Sequence, residues 1–341
     1  MKIRVALVGF GFMGQMHARI YQALPDVEIV GIADKFSGTA DALAKLGIQA
    51  PVFASLPELL KAVDPTLVDV CLPTDLHAEA VIAAANAGKH VFCEKPFALD
   101  VPSAERALAA VEKAGVFLQV GQCIRFWPEY QALEKFIKSG RGGKLVSLFL
   151  QRRASRPSYS QEDWLNQPSR SGGAALDLHI HDTDFVLHLL GKPQAVQSVA
   201  HQQPNGAYDQ MFTQYLYPDV AVTANGAWDY PAQWGFQMAF QAVFEKAVVE
   251  FDSQVSPSLH LTEGAEPRQP LAFEKPAVGK ADNSGGNVSD LGGYYNEIVY
   301  FIDRLRTGRA PEIATGQQAL ESLRTALAER QSAETRKPVA L

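Results

Sequence analysis

Apolar and polar positions follow two different rhythms along the chain. In the first 122 residues, short runs rich in apolar residues (Ile3 to Val8, Val27 to Ala33, Val68 to Leu72, His90 to Cys93, Val116 to Val120) read as strands buried on both faces. Between them lie stretches of helical character: Gln15 to Leu24, Thr39 to Leu46, Glu58 to Val63 behind Pro57, the Ala-rich His77 to Ala87, and Val101 to Ala114. Gly47, Gly88 and Gly115 stand where such helices stop. Strands separated by helices pair in parallel through right-handed crossovers, so this half predicts an α/β domain with a doubly wound parallel sheet.

Beyond residue 122 the rhythm changes. Lys144 to Arg153 alternates in part, and Val196 to Ala200, Met211 to Leu216, Val220 to Ala224, Phe236 to Ala242 and Ala247 to Phe251 are further strand candidates. Gly264 to Gly286 is polar and dotted with Pro and Gly, which predicts a hairpin and an exposed loop. Tyr294 to Arg306 and Thr315 to Arg330 read as closing helices. The chain of 341 residues is expected to hold two domains, 1–122 and 123–341, the second of α+β type.

Polar residues concentrate where the strands of the first half end: Gly9 to Gly14, Asp34, Pro73 to His77, and Glu94-Lys95-Pro96. Ligands of open parallel sheets collect beyond the carboxyl ends of the strands. Gly9-Phe10-Gly11-Phe12-Met13-Gly14 fits G-x-G-x-x-G, follows a buried strand and opens a helix. Asp34 lies about 20 residues further on, at the end of the second strand, which completes a dinucleotide-binding fingerprint. Gly9 permits a tight turn, Gly11 lets a pyrophosphate approach the backbone, Gly14 lets helix and strand pack closely, and the helix N-terminus offers N–H groups to phosphate. Asp34 is expected to accept from the adenosine ribose and to repel a 2′-phosphate. NAD is therefore favoured, while Lys35 beside it leaves NADP open.

The remaining composition narrows the setting. Net charge is −6 and no concentrated basic face is visible, so nucleic acid is not an expected partner. Arg152-Arg153 reads as a strand end or as a local carboxylate partner. No apolar run reaches the length that spans a bilayer, and the apolar N-terminus reads as the first strand rather than a leader. Cys71, Cys93 and Cys123 form no C-x-x-C pair, which argues against a disulfide framework or zinc and for buried thiols; no metal is expected. The default location is the cytoplasm.

The GFGFMG turn, Pro73-Thr74-Asp75-Leu76-His77, Glu94-Lys95-Pro96, and Gly172-Gly173-Ala174-Ala175-Leu176-Asp177-Leu178-His179-Ile180-His181-Asp182, in this order, resemble the Gfo/Idh/MocA oxidoreductase family. The resemblance implies a C-terminal domain on an open, mostly antiparallel sheet, with one face serving homodimer or homotetramer contacts. It also implies a sugar, inositol or related polyol as substrate, and NAD or NADP as cofactor.

Within that frame Lys95, Asp177 and His181 are the catalytic candidates. A second Glu-Lys-Pro at Glu274-Lys275-Pro276 shows that position, not the tripeptide, singles out Lys95. If Ala174 to Leu190 is one helix, Asp177 and His181 share a face. A carboxylate can then orient an imidazole whose pKa, about 6.5, suits proton transfer near neutrality. Hydride would leave the carbinol carbon for the nicotinamide. His181 would take the hydroxyl proton with Lys95 stabilising the alkoxide; the alternative makes Lys95 the proton acceptor, and sequence does not separate the two. Cofactor contacts are expected from Gly9, Phe10, Gly11, Phe12, Met13, Gly14, Asp34, Lys35, Pro73, Thr74, His77, Glu94 and Lys95. His77 reads equally as a packing residue. Substrate contacts are expected from Lys95, Gln122, Arg156, Trp164, Asp177 and His181, and Arg125 reads as a brace at the domain junction. His179 reads as packing, and Asp182 and Asp184 as partners of nearby backbone. Two other readings stay open: an enzyme that keeps NAD bound and oxidises transiently, as some glycosidases do, and a dinucleotide-binding sensor without turnover.

Overall fold

The computed structural model describes residues 2–276 and 291–341. The first half runs β1 (Ile3–Val8), α1 (Phe12–Ala23), β2 (Val27–Ala33), α2 (Thr39–Lys45), β3 (Val52–Phe53), α3 (Leu56–Ala62), β4 (Leu67–Val70), α4 (His77–Asn86), β5 (His90–Glu94), α5 (Val101–Ala114) and β6 (Leu118–Gly121). Its sheet has the order β3-β2-β1-β4-β5-β6 and every pair is parallel. This is the doubly wound sheet expected from the sequence, with the two-residue β3 added. Helix α5 shows how local sequence sets the elements. Asp100 caps it by accepting from the Ser103 N–H at 2.7 Å, Pro102 occupies its first turn, and Gly115 ends it at φ +65°. Its buried stripe, Ala104, Ala107 and Val111, has helical spacing.

Register matters most for function. Ala33, Val8, Val70, Cys93 and Val120 are linked partner to partner across β2, β1, β4, β5 and β6. The turns that follow them, carrying Gly9 to Gly14, Asp34, Thr74, Lys95 and Gln122, therefore leave one edge of the sheet.

The second half runs α6 (Pro128–Ser139), β7 (Leu145–Ser155), α7 (Pro168–Ser171), α8 (Gly173–Asp177), α9 (Ile180–Leu190), β8 (Ala195–Gln202), β9 (Tyr208–Leu216), β10 (Ala221–Tyr230), β11 (Phe236–Phe244), β12 (Ala247–Asp252), β13 (Leu259–Glu263), β14 (Gln269–Pro270), α10 (Gly292–Thr307), α11 (Gly316–Thr335) and β15 (Val339–Ala340). Nine strands form one sheet in the order β14-β13-β12-β11-β7-β10-β9-β8-β15, and only β7 and β10 pair in parallel. The open, mostly antiparallel sheet is thus present. A hairpin was expected within 264–286; the one formed, β13–β14, begins earlier, with β13 ending at Glu263 and only β14 inside that stretch, and residues 277–286 lie outside the described residues. Tyr130 of α6 anchors the core, with its ring edge-on to Phe185, Phe240 and Phe251 at 4.8, 5.1 and 5.6 Å. The other face of the sheet is less covered: Val146, Phe149, Val199 and Phe212 are exposed.

The chain divides into two compact units. One comprises Met1–Gln122, Tyr159–Trp164 and Tyr294–Glu321; the other comprises Cys123–Ser158, Leu165–Gly293 and Ser322–Leu341. Among the described residues no helix is long and apolar enough to cross a membrane.

Candidate functional site

The glycine-rich turn of the first unit is built for a close anionic ligand. Gly9 has φ +89°, and a Cβ there would sit 2.5 Å from the Cys71 carbonyl oxygen. A Cβ on Gly14 would meet the Gly9 oxygen at 2.2 Å. Both positions accept glycine alone. Gly11 is different: a Cβ there would meet no protein atom within 4 Å. Its bareness serves nothing in the protein's own packing and leaves space for an incoming group. Gly11 is also the N-cap of α1 and provides no side-chain cap, and the first turn carries no acid, so the N-terminal N–H groups have no side-chain anion of their own. Phe10 is buried, while Phe12 and Met13 are half-buried.

Asp34 ties this turn to the end of β2. Its Oδ2 accepts from the Phe10 N–H at 2.6 Å and its Oδ1 from the Phe36 N–H at 2.8 Å. Each oxygen keeps a second lone pair, so ribose hydroxyls can still donate to it. Lys35 is engaged elsewhere: its ammonium pairs with Glu162 at 3.1 Å and lies 5.1 Å from the Phe36 ring centre. Glu162 belongs to Tyr159–Trp164, a segment that groups with the first unit although it lies between β7 and α7. Tyr159 of that segment packs its ring on Phe12 at 5.4 Å. Trp164, expected to contact substrate, is half-buried and groups with the first unit. No local pattern announces such a return of the chain.

Past the ends of β4 and β6 stand buried polar atoms without a hydrogen-bond partner in the protein: Thr74 Oγ1 and both amide atoms of Gln122. Burial of unpaired polar atoms is costly, so a row of them along one sheet edge marks a place where a ligand completes the bonding. Pro73 precedes the single 3-10 turn Thr74–Leu76 that presents Thr74. His77 acts as a brace. Its Nδ1 lies 2.7 Å from the Pro96 carbonyl and its Nε2 2.7 Å from the Leu72 carbonyl, so both ring nitrogens face the chain's own backbone, and the neutral ring donates to one of the two. Burial pushes its pKa below the usual histidine value, outweighing the two carbonyls, which pull upward. Of the two readings of His77, the packing one matches these contacts. The Lys95–Pro96 bond is cis.

Glu94 tethers the Lys95 turn, since its Oε2 accepts from the Lys95 backbone N–H at 3.1 Å. Its other oxygen joins a buried polar cluster that no linear pattern announces. Glu94 Oε1 lies 3.1 Å from His17 Nε2, and His17 Nδ1 lies 2.8 Å from Asp69 Oδ2, to which Tyr21 Oη also donates at 2.9 Å. Burial alone would push the His17 pKa down, but the Asp69 carboxylate and Cys71 outweigh it and hold it well above the usual value. Cys71 and Cys93 are raised by burial, so their thiols stay protonated. The sole linear hint of the cluster is a histidine on the buried face of α1, among Met16, Ala18, Ile20 and Tyr21.

In the second unit, Gly172 and Gly173 both adopt positive φ, +77° and +70°, and start α8. The single helix expected over Ala174 to Leu190 is not formed. α8 ends at Asp177, and the His179 N–H reaches back five residues to the Ala174 carbonyl at 2.8 Å before α9 begins at Ile180. This wide turn separates Asp177 from His181, so four-residue spacing on one helix face does not describe the pair. Asp177 is half-buried, and His181 is 8% exposed.

The neighbours of His181 hold α9 in place. Asp182 accepts from Arg152 Nε and Nη2 at 3.1 and 2.9 Å, and Asp184 from Arg125 Nε and Nη2 at 2.7 and 2.8 Å, with Ser322 Oγ adding a bond at 2.7 Å. Both aspartates were expected on backbone groups; they take buried guanidinium groups instead, whose planar fork suits a carboxylate. Arg125 and Asp184 both belong to the second unit, so this pair braces that unit internally. His179 packs as expected: its Nε2 meets Thr213 Oγ1 and Glu329 Oε2, both at 3.2 Å, under Gly226, where a Cβ would strike the ring at 2.6 Å. Arg156 reaches the buried Asp209 at 2.5 Å, and Trp228 Nε1 donates to the other oxygen of that carboxylate at 2.6 Å.

Comparison with known proteins places these features. Residues 3–122 match the family model described as an oxidoreductase family with an NAD-binding Rossmann fold, and residues 130–250 match the GFO/IDH/MocA C-terminal domain. The chain belongs to the Gfo/Idh/MocA oxidoreductase family. It is 35% identical over 201 residues to inositol 2-dehydrogenase of Rhizobium meliloti (strain 1021), covering 59% of each chain. It is 32% identical over 200 residues to D-glucoside 3-dehydrogenase of Escherichia coli (strain K12), covering 58% of this chain and 56% of that one. These matches span under two thirds of the relatives' lengths. A solved levoglucosan dehydrogenase in complex with NADH and levoglucosan shares the fold, with a TM-score of 0.82 at 22% identity over 100% of this chain and 99% of that one.

Proposed function

We propose that this protein is an NAD-dependent dehydrogenase that oxidises a secondary alcohol of a sugar, inositol or related polyol. The observation that carries the proposal is the edge where β1, β4, β5 and β6 end. There a glycine turn open at Gly11 and the unpaired Thr74 and Gln122 side chains share an edge with the turn that carries Lys95. These residues fit NAD: the α1 N-terminus for its phosphates, Asp34 for the ribose, Thr74 for the stretch beyond. When bound, NAD supplies a hydride acceptor. The chain supplies the proton chemistry. His181 takes the hydroxyl proton, Asp177 supports the resulting cation, and the Lys95 ammonium stabilises the developing alkoxide. Gln122 offers one amide donor and one acceptor to substrate hydroxyls. The names of the relatives, inositol and glucoside dehydrogenases, favour this substrate class.

A panel of polyols and sugars assayed by NADH absorbance tests the reading. Turnover with NAD should exceed that with NADP, because Asp34 repels a 2′-phosphate and Lys35 is held by Glu162. Higher kcat/KM with NADP would overturn the cofactor assignment, and NAD binding without reaction across the panel would overturn the dehydrogenase.

The protein is further proposed to work as a homodimer or homotetramer through the open sheet face. Val199 pairs directly with Phe212 across β8 and β9, and both side chains are about half exposed, forming an apolar pair on that face. Light scattering should show an oligomer that Phe212→Asp dissociates. A monomeric wild-type protein would refute this.

A further inference from the structure

Glu297 of α10 is a buried acid of the first unit that the reaction above leaves without a task. Its side chain is 0% exposed, and neither carboxyl oxygen has a hydrogen-bond partner in the protein. Three side chains meet at this point: one nitrogen of His17 and one oxygen each of Glu94 and Glu297 lie within 4.8 Å of one another. Glu94 Oε1 and His17 Nε2 also lack a bond of good hydrogen-bonding geometry, although they stand 3.1 Å apart.

The groups facing Glu297 are known from each element around it. α1 brings His17 and Tyr21, β4 brings Asp69, and β5 brings Glu94. With His17 cationic and Asp69 and Glu94 ionised, the cluster already carries one surplus negative charge. A second surplus charge in a site closed to water has nothing to balance it, and of two carboxyl groups sharing such a site one keeps its proton. Burial, followed by the Glu94 and Asp69 charges, raises Glu297 well above the ordinary carboxylate range, although His17 pulls it down.

We propose that Glu297 is a resident neutral acid that donates its O–H to the Glu94 carboxylate. Together with His17 it is thereby a positioning residue for the turn bearing Lys95. The path is short. Glu297 and His17 fix one side of the Glu94 carboxylate, and the other side holds the Lys95 backbone N–H. Gly121 closes the seat, since a Cβ there would lie 3.0 Å from Glu94 Oε1. His17, Glu94 and Glu297 are also donor types that can hold a divalent cation. The direct contact between His17 and Glu94 and the closure of all three side chains to solvent make a proton the simpler occupant. The link to Lys95 rests on the catalytic reading above; the neutral acid does not.

Infrared difference spectra between the wild-type protein and Glu297→Gln, taken without substrate at neutral pH, read the proton directly. The expected result is a carbonyl band of a protonated carboxylic acid, sensitive to deuterium, that the glutamine variant lacks. The neutral acid is favoured only in the fold, so the wild type loses stability relative to Glu297→Gln as pH rises above the ordinary carboxylate range. The Tm difference in favour of glutamine should therefore widen from about pH 5 to pH 8. Glutamine mimics the neutral acid and should keep kcat within about twofold, whereas Glu297→Leu should lower kcat by about tenfold or more with Kd for NAD unchanged, since small misplacements of a catalytic group cost up to ~10²-fold. Absence of the band, or a Tm difference flat with pH, overturns the neutral acid. So does one equivalent of divalent metal that elemental analysis finds in the wild type and not in Glu297→Gln. Wild-type kcat in a folded Glu297→Leu overturns the positioning role. If Lys95→Met itself keeps full turnover, the catalytic reading fails while the infrared result stands.

Discussion

Lys95→Met is expected to lower kcat by about 10²–10³-fold, the range typical of removing one preorganised charge from a developing oxyanion. Methionine keeps the length and apolar stem of lysine and removes only the ammonium. The Glu94 tether acts on the backbone of residue 95, so the turn should survive the change. Kd for NAD should stay close to wild type, because the phosphate and ribose contacts proposed above come from the glycine turn and Asp34. His181→Ala belongs to the same expectation, with a loss of about 10²–10⁴-fold in kcat for a missing general base. The two variants differ in rescue. Exogenous imidazole should restore part of the His181→Ala rate and none of the Lys95→Met rate. Stopped-flow measurement of NADH formation separates the chemical step from product release, and an unchanged chemical step in either variant would remove that residue from the catalytic set.

The second large effect concerns stability. Arg152 and Asp182 are both almost fully buried and joined by two hydrogen bonds, with Tyr130 Oη 3.4 Å from the guanidinium. Burial works against the Arg152 charge, but Asp182 and Tyr130 outweigh it and hold the arginine firmly protonated. Arg152→Met leaves the Asp182 carboxylate buried without a counter-ion, which costs about 3–5 kcal/mol. In a protein of this size that is a drop in Tm on the order of 10 °C. Adding Asp182→Asn should recover a large part of the loss, because the variant then buries no unpaired charge. A Tm for Arg152→Met within about 2 °C of wild type would show that the pair holds α9 far less firmly than its geometry indicates. Because Asp182 directly follows His181, the same variant should also lower kcat, by a smaller factor than His181→Ala.

The sheet of the first half was legible because all its strands except the two-residue β3 are written as contiguous apolar runs and α2, α4 and α5 are each followed by a glycine stop, as at Gly88 and Gly115. The glycine turn and Asp34 were legible for the same reason: the fingerprint is local, and its spacing follows from one strand, one turn and one helix. What escaped was non-local. His17, Asp69, Glu94 and Glu297 come from four elements, and no linear pattern joins them. The partners of Asp182 and Asp184 lie on β7 and in the turn before α6: the carboxylate-partner reading of Arg152 matches its pairing with Asp182, but the expectation of neighbouring backbone for the two aspartates pointed to neither arginine. The break between α8 and α9 was hidden by an unbroken helical composition; it depends on a five-residue hydrogen bond that composition does not encode. The grouping of Tyr159–Trp164 with the first unit was not legible, because it depends on where the chain returns in space.

The claim on which the account turns is that Lys95 of the first unit and His181 of the second serve one reaction. A double-mutant cycle on kcat tests it most directly, using wild type, Lys95→Met, His181→Ala and the double variant with one substrate that turns over. Residues that act as a unit are strongly non-additive. The account expects the double variant to be about as slow as the slower single variant. A double variant slowed by the full product of the two single effects would mean that the amine and the imidazole act independently, and would contradict it.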